Sequence, residues 1–290
     1  MIYDKAGRLA LTQDGNQRER GNIWLMTKYD EYGRNIYSLE CDMQAWNYEM
    51  LLDSISNLHF TEKYSLTATM LGNTGYTNTK FAMPNSKILV VNYYDNYDFL
   101  NLLPIEIANM LRYKHAEGYA QQYENSTGLA TGCISYNLTD ELYTISTNYY
   151  DIHGHIIQVR NSSLHGGYQV AHTAYNFDGT KSKQILEHNN DIITQREKYT
   201  YSYDHVGRPI VTKYQLNDAP AIMHTQLLYN QRGQLIKTLR HNKQDTIKYQ
   251  YITNGALIAL SNKHFSEKLF YADSLPDYAT AYYNGNISAM

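Results

Sequence analysis

A short unit recurs along this chain, and its recurrence limits the possible folds more than any single motif does. The clearest copy is Lys198-Tyr199-Thr200-Tyr201-Ser202-Tyr203-Asp204-His205-Val206-Gly207-Arg208-Pro209-Ile210. Tyr199, Tyr201 and Tyr203 alternate with Lys198, Thr200 and Ser202. In a strand, that period of two puts three phenol rings on one face and polar groups on the other. Asp204 to Gly207 reads as a turn. Asp suits its first position, where the carboxylate accepts a backbone N–H, and Gly suits its fourth, where φ is positive. Ile210, Val211 and Tyr214 return as a second strand, so the unit is a β-hairpin that enters its turn on a Tyr-Asp pair.

The same order of residues stands at Tyr3-Asp4 before Gly7, Tyr29-Asp30 before Gly33, and Tyr150-Asp151 before Gly154. It returns at Tyr175-Asn176 before Gly179 and Tyr229-Asn230 before Gly233, and Tyr251 to Gly255 is a worn copy without the acid. The first two copies lie 26 residues apart, and the steps from Tyr150 onward are 25, 28, 26 and 22. One such match would be chance; a near-constant step across seven is a repeat. Tyr94-Asp95-Asn96-Tyr97-Asp98 reads as a further copy that has lost its glycine.

These residues resemble the YD-repeat, or RHS (rearrangement hotspot), family of large bacterial surface and toxin proteins, whose repeat is shared by the animal teneurins. The motif match covers residues 1–37 and 140–260. The resemblance implies hairpins that spiral into a β-sheet shell able to enclose a toxic domain. It also implies adjoining repeats of a longer protein and an enclosed toxin or effector as partners, and a secreted or cell-surface location. Members often end the shell in a self-cleaving aspartyl-protease segment with a D-P-x-G motif. Pro276-Asp277-Tyr278 does not match it, so that activity is not expected here.

The expected fold is therefore all-β: antiparallel hairpin repeats in a continuous curved or spiralling sheet, an open segment of such a shell. Residues 1–37 and 140–290 form repeats. Residues 38–139 form an irregular block with a degenerate repeat near 88–100 and short helices. A repeat array is one extended body without a central core. Tyr supplies 30 residues against 6 Phe and 2 Trp, a split that suits rings packed side by side with one end on a polar partner. The formal charge is −3 with no long basic run, which gives phosphate-driven nucleic-acid binding little support. No run of about 18 apolar residues predicts a membrane span. Met1 enters directly into a repeat and the chain stops at Met290 without a capping unit, so both ends read as cuts in a longer protein. Cys41 and Cys133 share no metal spacing and are expected as two buried free thiols.

Between the first two hairpins, residues 13–21 read as a loop; within the middle block, 51–58 reads as a short helix, 65–78 alternates too weakly to assign and 87–94 reads as a strand. Pro104 to Tyr123 reads as a helix begun by proline, and 126–132 as a loop. Asn217 to Pro220 and His188 to Asp191 are turns at the opposite end of the hairpins.

No cofactor, metal or catalytic residue is expected. His153 and His155 flank a turn glycine where other copies carry Tyr32 and Arg34, so repeat drift accounts for them better than a metal does. The turn acids Asp4, Asp30, Asp151 and Asp204 offer one or two oxygens per turn, too few for a calcium loop, and turn capping explains them. No P-loop, G-x-S-x-G or H-E-x-x-H is present. The residues that matter are architectural: Tyr3, Asp4, Gly7, Tyr29, Asp30, Gly33, Tyr150, Asp151, Gly154, Tyr175, Gly179, Tyr203, Asp204, Gly207, Tyr229 and Gly233. A non-enzymatic wall that encloses or presents a C-terminal toxin is the leading reading. The alternatives are an adhesin that stacks sugars on exposed tyrosines and, more remotely, an enzyme housed in 38–139.

Overall fold

The computed structural model describes residues 1–65, 74–83, 86–140, 142–272 and 275–290. The chain divides into two units, one of Met1–His172 with His188–Thr194 and one of Thr173–Glu187 with Gln195–Met290.

In the first unit, alternating sequences form β1 (Ile2–Tyr3), β2 (Leu9–Thr12), β3 (Ile23–Tyr29), β4 (Asn35–Asp42), β5 (Lys87–Asp95), β6 (Ser126–Tyr136), β7 (Tyr143–Tyr150), β8 (Ile156–Ser162) and the start of β9 (Tyr168–Tyr175). Each pairs antiparallel with its sequence neighbour. One face carries the apolar residues. Trp24, Met26 and Lys28 of β3 lie opposite Cys41, Leu39 and Tyr37 of β4, and the row continues through Val91, Ile134 and Ile145. That face is buried, so this unit has a core that the repeat pattern did not lead one to expect.

Two departures from the meander cover it. Between β4 and β5 the chain forms α2 (Tyr48–Ser56), capped where the Asn47 side chain accepts the Met50 N–H at 2.9 Å, with Leu51 and Ile55 buried. Phe60 follows, fully buried, and then Glu62 meets Lys28 at 2.9 Å with both side chains inaccessible. Lys28 also donates to Asn78 Oδ1 and the Lys80 carbonyl, while Glu62 accepts from Thr77, Thr79 and the Lys80 N–H. Every donor and acceptor of the pair is engaged. Burial would raise the Glu62 carboxyl, but Lys28, the Thr77 hydroxyl and the Thr79 and Lys80 N–H groups outweigh it and hold it low. A strand lysine thus ties Glu62, Asn78 and Lys80 to the sheet.

The second departure runs from β5 to β6 through a 3₁₀ turn (Asp98–Leu102) and α3 (Ile105–Leu111). Phe99 stacks on Tyr93 at 4.1 Å and lies over Gly132 of β6, where a Cβ would collide with its ring. A mid-strand glycine makes room for an aromatic plug.

Several expectations need correction. Residues 13–21 contain a helical turn, α1 (Gly15–Glu19), because Asp14 and Gln17 form a reciprocal capping box. The helix from Pro104 stops at Leu111 rather than Tyr123. At its end, the Met110 and Leu111 carbonyls, and beyond it that of Lys114, accept from the Arg160, Tyr149 and Gln158 side chains of the sheet, which replaces continued helical bonding. Residues 126–132 are strand rather than loop, since β6 starts at Ser126 against Asp95. Both cysteines are free, but Cys133 is only half-buried. The expected helix near 51–58 and strand over 87–94 are both present. Much of the weakly alternating 65–78 stretch lies outside the described residues.

The second unit contains the end of β9, then β10 (Lys181–Asn189), β11 (Thr194–Tyr203), β12 (Pro209–Leu216), β13 (Ile222–Tyr229), β14 (Leu235–Arg240), β15 (Asp245–Tyr251), β16 (Leu257–Ser261) and β17 (Ser266–Lys268). From β11 onward each strand pairs antiparallel with the next. Among its described residues no helix is present. Among its described residues only Thr173 and Thr238 are buried. All-β antiparallel hairpins are the architecture in both units, as the sequence implies.

Replacing Glu62 with Leu should destabilise the first unit by about 3–5 kcal/mol, because it strands a buried ammonium. The further change Lys28→Met should recover part of that loss. Chemical denaturation of the single and double variants measures both, and additive losses would contradict the pairing.

Candidate functional site

The turn at Asp204 shows how each unit closes. The Gly207 N–H donates to the Asp204 carbonyl at 3.0 Å and the Asp204 N–H to the Arg208 carbonyl at 2.9 Å, with Gly207 at φ +81°. This is a three-residue hairpin loop ended by a left-handed residue. The Asp204 side chain fixes it. One oxygen accepts the Val206 and Arg208 N–H groups at 3.0 and 2.9 Å, and the other takes the Arg208 guanidinium at 2.7 and 2.6 Å.

The structure places Asp4, Asp30, Asp151, Asn176, Asn230 and Ile252 in the same position. Each donates its N–H to a carbonyl four residues on, at 2.7–3.0 Å. Gly7, Gly33, Gly154, Gly179, Gly233 and Gly255 have φ between 74° and 96°. Arg8 and Arg34 bind their own turn acids as Arg208 does. His155 takes the same place, its Nδ1 lying 3.1 Å from Asp151. Where Asn replaces Asp, Thr180 and Gln234 stand in the arginine position, at 2.9 and 2.8 Å from Asn176 and Asn230.

Two links between successive hairpins were not legible as such. The first is made by the tyrosine hydroxyls. Tyr29 donates to the Leu9 carbonyl at 2.8 Å, Tyr203 to Lys181 at 2.9 Å, Tyr229 to Pro209 at 3.1 Å and Tyr251 to Leu235 at 2.9 Å. In every case the acceptor lies two residues past the preceding unit's glycine. Tyr271 extends the series to Leu257 at 3.0 Å. The second link is cationic. The guanidinium of Arg8 lies 4.6 Å from the Tyr29 ring centre, Arg34 4.4 Å from Tyr94, and Arg208 4.7 Å from Tyr229. Each such arginine holds its own turn acid and the next unit's ring together. The excess of Tyr over Phe is the sequence signal of the first link, and the Gly-Arg pairs that of the second.

The unit at Tyr94-Asp95 keeps its glycine after all, far downstream. Gly128, at φ +85°, donates its N–H to Asp95 at 2.6 Å, and Tyr94 pairs with Ala130 as Tyr29 pairs with Asn35. Tyr94 donates to the Asn35 carbonyl at 2.9 Å and Tyr150 to the Ala130 carbonyl at 2.6 Å. The hairpin rule survives an excursion over residues 96–125. Here Arg34 sits between two acids, reaching Asp30 at 2.6 Å and Asp95 at 2.9 and 2.6 Å. A cavity of about 200 Å³ opens beside them, lined by Tyr64, Tyr76, Tyr93 and Tyr94 among others. Of its acids, Asp30 and Asp95 are held by Arg34 and Glu62 by Lys28, while Glu31 stands exposed at the lining.

The turn carboxylates are filled by N–H and guanidinium donors, and among the described residues no group of three or more His, Cys, Asp or Glu side chains converges. What the arrangement can do is mechanical: it locks one hairpin to the next.

Three outcomes follow from the geometry. Tyr229→Phe and Tyr251→Phe should each cost about 1 kcal/mol, while the exposed Tyr278→Phe should cost nothing measurable by urea melts. Gly207→Val should cost about 2–3 kcal/mol for forcing a branched residue to positive φ, against about 1 kcal/mol for Arg208→Ala; equal melting temperatures would contradict the turn. Finally, the bonds from Arg34 hold the Asp95 carboxyl below its ordinary 3.8. That stabilisation is complete above pH 3.8 and is lost as pH falls through the lowered folded value. Asp95→Asn should therefore flatten the acid limb of stability against pH.

No family model matches the chain, and no curated protein does. Among solved structures, the crystal structure of TcdB2-TccC3 is similar with a TM-score of 0.53 at 10% identity, over 92% of this chain and 11% of that one. The crystal structure of TcdB2-TccC3-TEV gives a TM-score of 0.40 at 13% identity, over 92% and 13% of the two chains. This chain thus spans a small part of the length of the proteins it matches. The likeness concerns the fold alone: antiparallel hairpins in which each strand pairs with the next.

Proposed function

We propose that this chain is a non-enzymatic wall segment of a β-shell, secreted or at the cell surface, that encloses or presents a toxin or effector carried C-terminal to it. The observation that carries this reading is the interlock. Seven tyrosine hydroxyls each bridge to the backbone of the preceding hairpin, so the chain's most repeated side chain serves wall continuity. The shell-like fold supports the same role. A closed sheet would remove exposed edges and keep a harmful passenger from the producing cell.

The alternative reading, a sugar-binding adhesin, needs tyrosine faces free to stack. The repeat tyrosines Tyr29, Tyr203, Tyr229 and Tyr251 are instead half-buried with their hydroxyls engaged, which favours the wall.

Limited proteolysis of the natural polypeptide that carries this chain tests the proposal. The sequence C-terminal to residue 290 should stay intact while the repeats are folded, and should be cut once Tyr29, Tyr229 and Tyr251 are all changed to Ala. Rapid cutting of that segment in the unaltered protein would sink the enclosure reading. Selective, tyrosine-dependent binding on a glycan array would replace it with the adhesin.

A further inference from the structure

We infer that the second unit docks an acidic polypeptide segment on the sheet face opposite its tyrosines. Cross-strand pairing fixes which residues share that face. Thr200 pairs with Lys213, Lys198 with Gln215, Lys237 with Lys248, and Ala259 with Lys268. The alternate residues, Tyr199, Tyr201, Tyr214 and Tyr249 among them, lie on the other side. Strands β11 to β17 therefore put five lysines on one face. The acids of the same strands, Glu197, Asp245 and Glu267, pair with Leu216, Arg240 and Leu260 on the tyrosine face.

Four of the five lysines, Lys213, Lys237, Lys248 and Lys268, are exposed, and Lys198 is half-exposed. No ion pair engages any of them; the neighbouring arginines Arg196 and Arg208 are held by Glu187 at 2.7 Å and Asp204 at 2.6 Å. Lys237 and Lys248 stand directly opposite each other. Like charges in that position destabilise a sheet, and an anion laid across them removes the penalty. Six strand spacings separate β11 from β17, about 30 Å. An extended segment of roughly nine residues crosses that distance at about 3.3 Å per residue.

The chemistry favours carboxylates over a nucleic acid. The face offers no free arginine fork for phosphate and no ring for a base to stack on, because the tyrosines point the other way. The inference goes beyond the container reading and holds whether or not the sheet encloses anything.

Fluorescence anisotropy with a labelled deca-glutamate peptide tests it on the whole chain. Binding should appear at about 20 mM salt and weaken at least about tenfold by about 200 mM. The triple variant Lys213→Gln, Lys237→Gln, Lys248→Gln should lose about tenfold in affinity at low salt, whereas Lys5→Gln, Lys63→Gln, Lys263→Gln should bind like the natural chain. No binding at low salt, equal loss in both triples, or tighter binding of an oligothymidylate of equal length would each overturn the proposal. A melting curve checks the face triple, which should melt no lower than the natural chain once the Lys237–Lys248 repulsion is gone. Should it fail to fold, the salt titration and the peptide-against-oligonucleotide comparison on the unaltered chain still decide.

Discussion

A phenol hydroxyl that reaches back to the backbone of the preceding hairpin is the contact on which the rest of this structure depends. A hairpin turn alone fixes only its own two strands. The Tyr hydroxyl adds a bond to the carbonyl two residues past the previous glycine, and it recurs from Tyr29 to Tyr271. A phenylalanine would fill the same space and leave that carbonyl unmet. Each bond contributes only about 1 kcal/mol. In an array where every unit touches its neighbours alone, the contributions set the nearest-neighbour coupling, and that coupling decides whether the sheet holds as one body.

The turn acid and arginine belong to the same device. Asp204 closes its own loop by accepting two N–H groups, and its second oxygen orients Arg208. Arg208 is thereby placed over the ring of Tyr229. Local capping and coupling between units are thus one connected set of contacts. Substitution within it follows physical roles: His155 replaces an arginine beside Asp151, and Gln234 replaces one beside Asn230, where the neutral amide has no charge to match.

The two units show the same hairpins under opposite conditions. In the first, the chain's own excursions cover one face, with Phe60, Phe99 and the Lys28–Glu62 pair buried against it. In the second, only Thr173 and Thr238 are buried among the described residues, and the equivalent positions carry Lys198, Lys213 and Lys248, which need water or an anionic partner. The face of a strand that becomes core is decided by what covers it.

The hairpins were legible because their information is local. Alternation assigns the strand faces, Asp and Gly assign the turn, and a constant step shows that the assignments repeat; the strands around Tyr203 need nothing from elsewhere. The middle block was not legible for the converse reason. Gly128 completes the turn begun at Asp95, and no short-range pattern connects residues so far apart in sequence. Lys28 is buried in its strand because Glu62 arrives from an excursion, a partner far away in sequence. The helix at α3 ends where side chains of the sheet claim its carbonyls. By itself the sequence determined the repeat, its turns and the all-β class, since these follow from interactions a few residues apart. Only the tertiary structure decided which face is core, where the interrupted hairpin closes and what the hydroxyls hold, because those depend on partners that folding alone brings near.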